Sequence, residues 1–251
     1  WPRPIGKSIT PTLVIGKPQS LWGLAGAPGA GSFDTTLNGV VLNSPVNGQI
    51  PFTNPVSGET RLYRMTGNAA IGGTLVLADR LWHNGGYTIT STSAQNSTTP
   101  TWPARDADGA TAGNGVLLGL EISAAAGAAA PTITIAYTNQ AGTGSRSATN
   151  YYPTANSPVA GSFFPIGLQA GDTGVRSVQS LTLSVSWASG TMNLVAYREL
   201  ARLELPSGPW AIDFLTGGGP KIYDNSVPFL FFIPNATTAT NIGGSVIWTQ
   251  G

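Results

Sequence analysis

The stretch Leu181-Thr-Leu-Ser-Val-Ser-Trp187 decides the fold class. Its apolar and polar residues alternate with a period of two. Leu181, Leu183, Val185 and Trp187 therefore share one face of a strand, and Thr182, Ser184 and Ser186 the other. Ile133-Thr-Ile-Ala-Tyr137 repeats the pattern. Ser189-Gly190 then separates the first stretch from Met192-Asn-Leu-Val-Ala-Tyr-Arg198, and the pair reads as a β-hairpin. On either side, further strands are expected at Leu13 to Ile15, Leu37 to Leu42, Arg61 to Met65, Thr74 to Leu77 and Tyr87 to Thr90. Others are expected at Val116 to Ile122, Val227 to Ile233 and Gly244 to Trp248. About ten or more short strands punctuated by Gly, Pro, Asn and Asp turns predict an all-β chain, a β-sandwich or jelly roll. Ala124 to Ala130 is rich in alanine, but Gly127 interrupts it and Pro131 ends it, so a loop or single turn is expected there.

Residues 1–33 differ from the rest of the chain. Pro2, Pro4, Pro11 and Pro18 break any helix, and Gly23-Leu-Ala-Gly-Ala-Pro-Gly-Ala-Gly31 closes the segment as a connector. Trp1, Leu21 and Trp22 are its apolar anchors. Two readings stand: a strand that completes the parent sheet, or an extended N-terminal arm whose anchors bury against a neighbouring subunit or a capsid. The arm reading divides the chain into residues 1–33 and a β-sandwich domain over 34–251. A possible sub-boundary lies near 206–220, at Pro206-Ser-Gly-Pro209 and Thr216-Gly-Gly-Gly-Pro220.

Charge sets the function classes. Only 23 of 251 residues, 9%, carry a formal charge, and the net charge is +1. Soluble domains usually have about 25%. A surface that takes its polarity from Thr, Ser, Asn and Gly packs against neighbours without the cost of desolvating charges, which suits a chain that works inside an assembly. The twelve Lys and Arg are spread along the sequence, so no basic patch for nucleic acid is expected. No apolar run approaches the ~18 residues of a membrane span. Cysteine is absent, which removes disulfides and thiol chemistry and favours a cytosolic assembly route.

Candidate chemistry is sparse, and no enzyme or cofactor is expected. His83 lies in Arg80-Leu-Trp-His-Asn-Gly-Gly86; Asp79 would stand about 13 Å away along a strand, too far to orient it. A surface or turn histidine is the reading adopted. Asp106-Ala-Asp-Gly109 opens like a calcium loop, but the closing acidic position is Leu117, and an Asx turn explains Asp-Gly as well. No metal is expected. Glu199 and Glu204 sit among basic residues in Arg198-Glu-Leu-Ala-Arg-Leu-Glu204 and read as ion-pairing groups near an interface. Gly26 to Gly31 lacks the Lys-Ser/Thr of a nucleotide loop.

Several segments resemble structural proteins of tailed bacteriophages. They are Phe33-Asp-Thr-Thr-Leu-Asn-Gly39, Leu81-Trp-His-Asn-Gly-Gly-Tyr87, Ala170-Gly-Asp-Thr-Gly-Val-Arg-Ser-Val-Gln-Ser-Leu181 and Gly243-Gly-Ser-Val-Ile-Trp-Thr-Gln-Gly251. The resemblance implies a virion component, of the head-decoration or cement kind, with no catalytic residues to carry over. Its partners would be the major capsid protein or other virion proteins and its own copies, as a homotrimer. It would be assembled in the host bacterial cytoplasm. Tail, baseplate and fibre proteins share this composition. The alternative is therefore a tail or fibre component that contacts host surface glycan through Trp82, Tyr87 and Trp102.

Overall fold

Alternation at Leu181 and Leu183 is carried by a strand that pairs Leu181 with Ile135 and Leu183 with Ile133. This pairing is seen in a computed structural model of the chain, which describes residues 2–151, 153–154, 157–214 and 218–251. In chain order the strands are β1 (Arg3–Ile9), β2 (Gln19–Ser20), β3 (Gly26–Ala27), β4 (Val40–Val41), β5 (Thr60–Ala69) and β6 (Gly73–Asn84). There follow β7 (Gln95–Asn96), β8 (Val116–Ala124), β9 (Ile133–Asn139), β10 (Arg146–Asn150), β11 (Phe163–Gly167) and β12 (Val175–Leu183). The last are β13 (Thr191–Leu205), β14 (Gly208–Asp213), β15 (Lys221–Ile222), β16 (Pro228–Pro234) and β17 (Thr240–Gln250). They form two large antiparallel sheets, of six and eleven strands, with no helix among the described residues. The all-β expectation holds, and the arrangement is sandwich-like. No helix there is long and apolar enough to cross a membrane.

The chain divides into two compact units. The first comprises residues 1–32, 43–79 and 200–251, and the second 33–42 and 80–199. Each has its own apolar core. Strands β6 and β13, at 12 and 15 residues, are far longer than the ~5–6 of an average strand and contribute residues to both cores.

In the first unit, β14-β5-β17-β1-β3 lie side by side, with β15 also on β5. Ile5, Ile9, Leu62, Met65, Ile242 and Val246 from this sheet share a core with Leu75, Leu77, Leu203, Leu205, Leu230 and Phe232. Residues 3–9 are a strand of the sheet, in register with Val246 to Thr240 of β17, which is the sheet-completing alternative of the sequence reading. Gly26 has φ of 127°, and a Cβ there would run into the carbonyl oxygen of Gly6, so the approach of β3 to β1 requires glycine.

In the second unit the strands run through β13, β8, β11, β10, β9, β12 and β7, and β12 comes back to face β8. Between these layers lie Leu118, Leu120, Ile122, Ile135, Tyr137, Leu181, Met192 and Leu194. The expected hairpin of 181–187 with 192–198 does not form. β12 ends at Leu183 and pairs with β9 and β7, whereas β13 pairs with β8. Ser184 still donates its amide to the Thr132 carbonyl at 3.0 Å, but Val185 beyond it turns outward, and Trp187 returns to the core stacked on Phe164. That segment is a crossing between layers, which alternation alone does not distinguish from a strand.

Candidate functional site

Trp1, the first proposed anchor, lies outside the described residues. Leu21 and Trp22 are 2% and 1% exposed. Trp22 packs edge-on against Phe229 at 6.3 Å and donates its indole N–H to the Ser32 carbonyl at 2.8 Å. Both side chains are thus enclosed by the chain's own first unit, which takes up the surface they would have offered to a neighbour.

The three aromatics assigned to glycan are also interior, which corrects that assignment. Trp82 and Trp102 pack together with centroids 5.3 Å apart, and their indoles donate to the carbonyls of Asn38 and Val175. The Tyr87 hydroxyl meets Ser97 Oγ at 2.7 Å. None shows a face to solvent. The segment around Tyr87 is a turn and not the expected strand, but its apolar residues are drawn into the same core.

His83 is buried as well, against the expectation of a surface histidine. Its Nδ1 accepts from Arg80 Nε at 3.2 Å, and Arg80 Nη2 reaches Glu121 Oε2 at 2.7 Å. Burial first, and the Arg80 charge second, hold the imidazole pKa down to about 2. The neighbouring Asp79 turns elsewhere, accepting from Ser226 Oγ at 2.9 Å and the Val227 amide at 2.8 Å. The two residues are not brought together.

Asp106 is engaged by the main chain. Its two oxygens accept from the amides of Asp108, Ala110, Gly113 and Asn114, and its side chain is wholly buried. This is an Asx-type loop with the carboxylate already saturated, so it offers nothing to calcium. Among the described residues no group of three or more His, Cys, Asp or Glu is arranged to hold a metal. A second carboxylate, Asp172, is held by Arg146 at 2.9 and 3.0 Å, by the Tyr137 hydroxyl at 2.5 Å and by Asn139 Nδ2 at 2.7 Å. The Arg146 hydrogen bonds chiefly lower its pKa to about 2. Both clusters brace the β framework.

What is left is the surface. Seven of the 23 charged residues are buried, Lys7, Asp79, Arg80, Arg105, Asp106, Glu121 and Arg198, and the Asp172 side chain is only 2% exposed. At most 15 charged side chains remain for solvent, and several of those pair with one another, as in Glu59 with Arg61 and Lys221, and Arg64 with Asp213. Sequence reasoning passed over one feature on this surface. Trp210, on β14, is 55% exposed and belongs to the lining of two depressions in the first unit, of about 580 and 520 Å³. Glu204, one of the two expected interface carboxylates, lines the larger and accepts the Thr74 hydroxyl at 2.7 Å. The available signal was Pro209, because a proline inside a strand marks a sheet edge.

No family model matches the chain, and no curated protein matches it. Among solved structures it aligns with a chain from the structure of the infectious bursal disease virus Gt strain, at 13% identity and a TM-score of 0.13. The alignment covers 98% of this chain and spans 41% of that one. A likeness of that size carries no argument.

Proposed function

We propose that this chain is a non-enzymatic structural protein of a virus particle, of the tailed-bacteriophage kind. In this reading it is bound to the capsid surface as a decoration, cement or minor capsid protein. The observation that carries the reading is the surface itself. With at most 15 charged side chains left to solvent, it is poorer in charge than the composition already implied. Free domains of this kind hold about a quarter to a third of their surface as Lys, Arg, Asp and Glu. Joining two hydroxyl- and amide-rich faces lets their groups pair again across the joint, whereas burying unpaired charge costs several kcal/mol. The phage-like segments at 33–39, 81–87, 170–181 and 243–251 point to the same class.

A jelly-roll wrapping of the strands, self-association as a homotrimer, contact with the major capsid protein and assembly in the bacterial cytoplasm belong to this proposal. Leu21 and Trp22 are enclosed, so particle contact is assigned to the outer faces of the units and not to an extended arm. Gold-tagged antibody against the chain, imaged on intact particles, is the test. Label over the head surface is expected. Label confined to the tail or its tip would favour a host-contacting component, and unlabelled particles would overturn the virion assignment.

A further inference from the structure

We infer that the depressions flanking Trp210 in the first unit form a binding site for a neutral oligosaccharide. The inference does not depend on where the chain sits on a particle. Trp22, Trp82, Trp102, Trp187 and Trp248 each donate the indole N–H to a main-chain carbonyl. Trp210 alone among the described tryptophans has no such bond, and its ring meets no other aromatic. Its face and its donor are both open to a ligand.

The groups around it have the matching chemistry. Ile15 and Pro206 give the larger depression apolar walls. Glu204 has one oxygen on Thr74, and among the described residues its other oxygen and the Asn235 side-chain amide have no partner. A sugar ring presents C–H groups on its face, which pack on an indole, and hydroxyls at its rim, which pair with carboxylate and amide. Both depressions fall within the ~300–1,000 Å³ usual for ligand sites. Because Trp210 belongs to the lining of both, an extended glycan can pack on the ring and reach into both. Charge selects the class: Glu204 is the formal charge in the larger depression and repels acidic sugars, while Arg64 in the smaller one is paired with Asp213 at 3.3 Å. A peptide strand added at the β14 edge would meet Pro209, which has no N–H to give.

The test is calorimetric titration of the whole chain with hexasaccharides of glucose, mannose, galactose and N-acetylglucosamine, and with oligogalacturonate as the acidic probe. At least one neutral oligosaccharide should bind saturably. Trp210→Ala should weaken it about tenfold, Trp210→Phe should restore part of the loss, and Glu204→Ala should weaken it further. Tyr151→Ala, at another exposed aromatic, should change nothing. Circular dichroism confirms that each variant is folded. Failure of every neutral probe with folded protein would overturn the inference, as would equal binding by Trp210→Ala or preference for oligogalacturonate. Conversion of an oligomer to a monomer by Trp210→Ala would also overturn it, since the groove would then be a subunit joint. None of these results bears on particle labelling, so the two readings fail separately.

Discussion

His83 is the chain's one histidine, so its titration can be followed without assignment. Unfolded, it takes a proton near pH 6.5; folded, burial and Arg80 delay this to about 2. Between those values the unfolded chain holds one more proton than the folded one, so stability is full above about 6.5 and falls as the solution is acidified, by up to ~1.4 kcal/mol per unit. Asp172 acts in the same direction lower down, its contribution being lost as pH falls from its ordinary carboxylate range through about 2. The imidazole proton resonances should therefore stay fixed from pH 8 to about 4 in the folded protein. A midpoint near 6.5 would show an exposed ring. Glu121→Ala strands the buried Arg80 charge and should cost about 3–5 kcal/mol in denaturant unfolding, whereas a loss under about 1 kcal/mol would mean that water reaches the guanidinium. Little of this was legible beforehand. Arg80, His83 and Glu121 are polar letters in strands of unknown facing, and nothing in their spacing pairs position 80 with 121. Trp210 had a faint sign in its neighbour Pro209, which marks an edge strand only once residues 208–213 are known to be a strand.

Among the strands, β1 tests how the first unit is built. It lies between β17 and β3, and with the following segment it supplies Ile5, Ile9, Leu13, Leu21 and Trp22 to the interior. Each such side chain contributes about 1.5–3 kcal/mol on burial. Removing residues 1–32 should therefore unfold the first unit, seen as lost amide-exchange protection throughout β5 and β17. A truncated chain that keeps that protection would show the segment to be a detachable arm after all. Gly26→Ala, which sets a methyl group against the Gly6 carbonyl, should lower the melting temperature and raise exchange locally in β1 and β3. Strands with strict alternation were readable from residues alone, as β9 and the first part of the 181–187 stretch show. What periodicity could not convey was continuity. Asp79-Arg80 looks like a break in β6, yet the strand runs through it because each charge finds a partner, Asp79 at Ser226 and Arg80 at Glu121. The division into two units turns on that same crossing.

For the chain as a unit of assembly, scarcity of charge governs how copies meet. Net charge is +1, and eight of the charged side chains are internal, so neither long-range repulsion nor steering is strong. Any association of the chain with itself must then come from short-range packing and neutral hydrogen bonds, which salt screens little. Raising ionic strength from about 0.1 M to 1 M shortens the Debye length from about 10 Å to 3 Å and abolishes most attraction between exposed charges. The self-association constant measured by sedimentation equilibrium should change less than about threefold over that range. Sulfate, which is excluded from protein surfaces and so favours burial, should strengthen association. A tenfold loss in sodium chloride would instead place the joint on the few exposed ion pairs, such as the Glu59, Arg61 and Lys221 group. The desolvation argument for an assembly role would then fail at its first step, because the joint would rest on the very charges that the surface so nearly lacks.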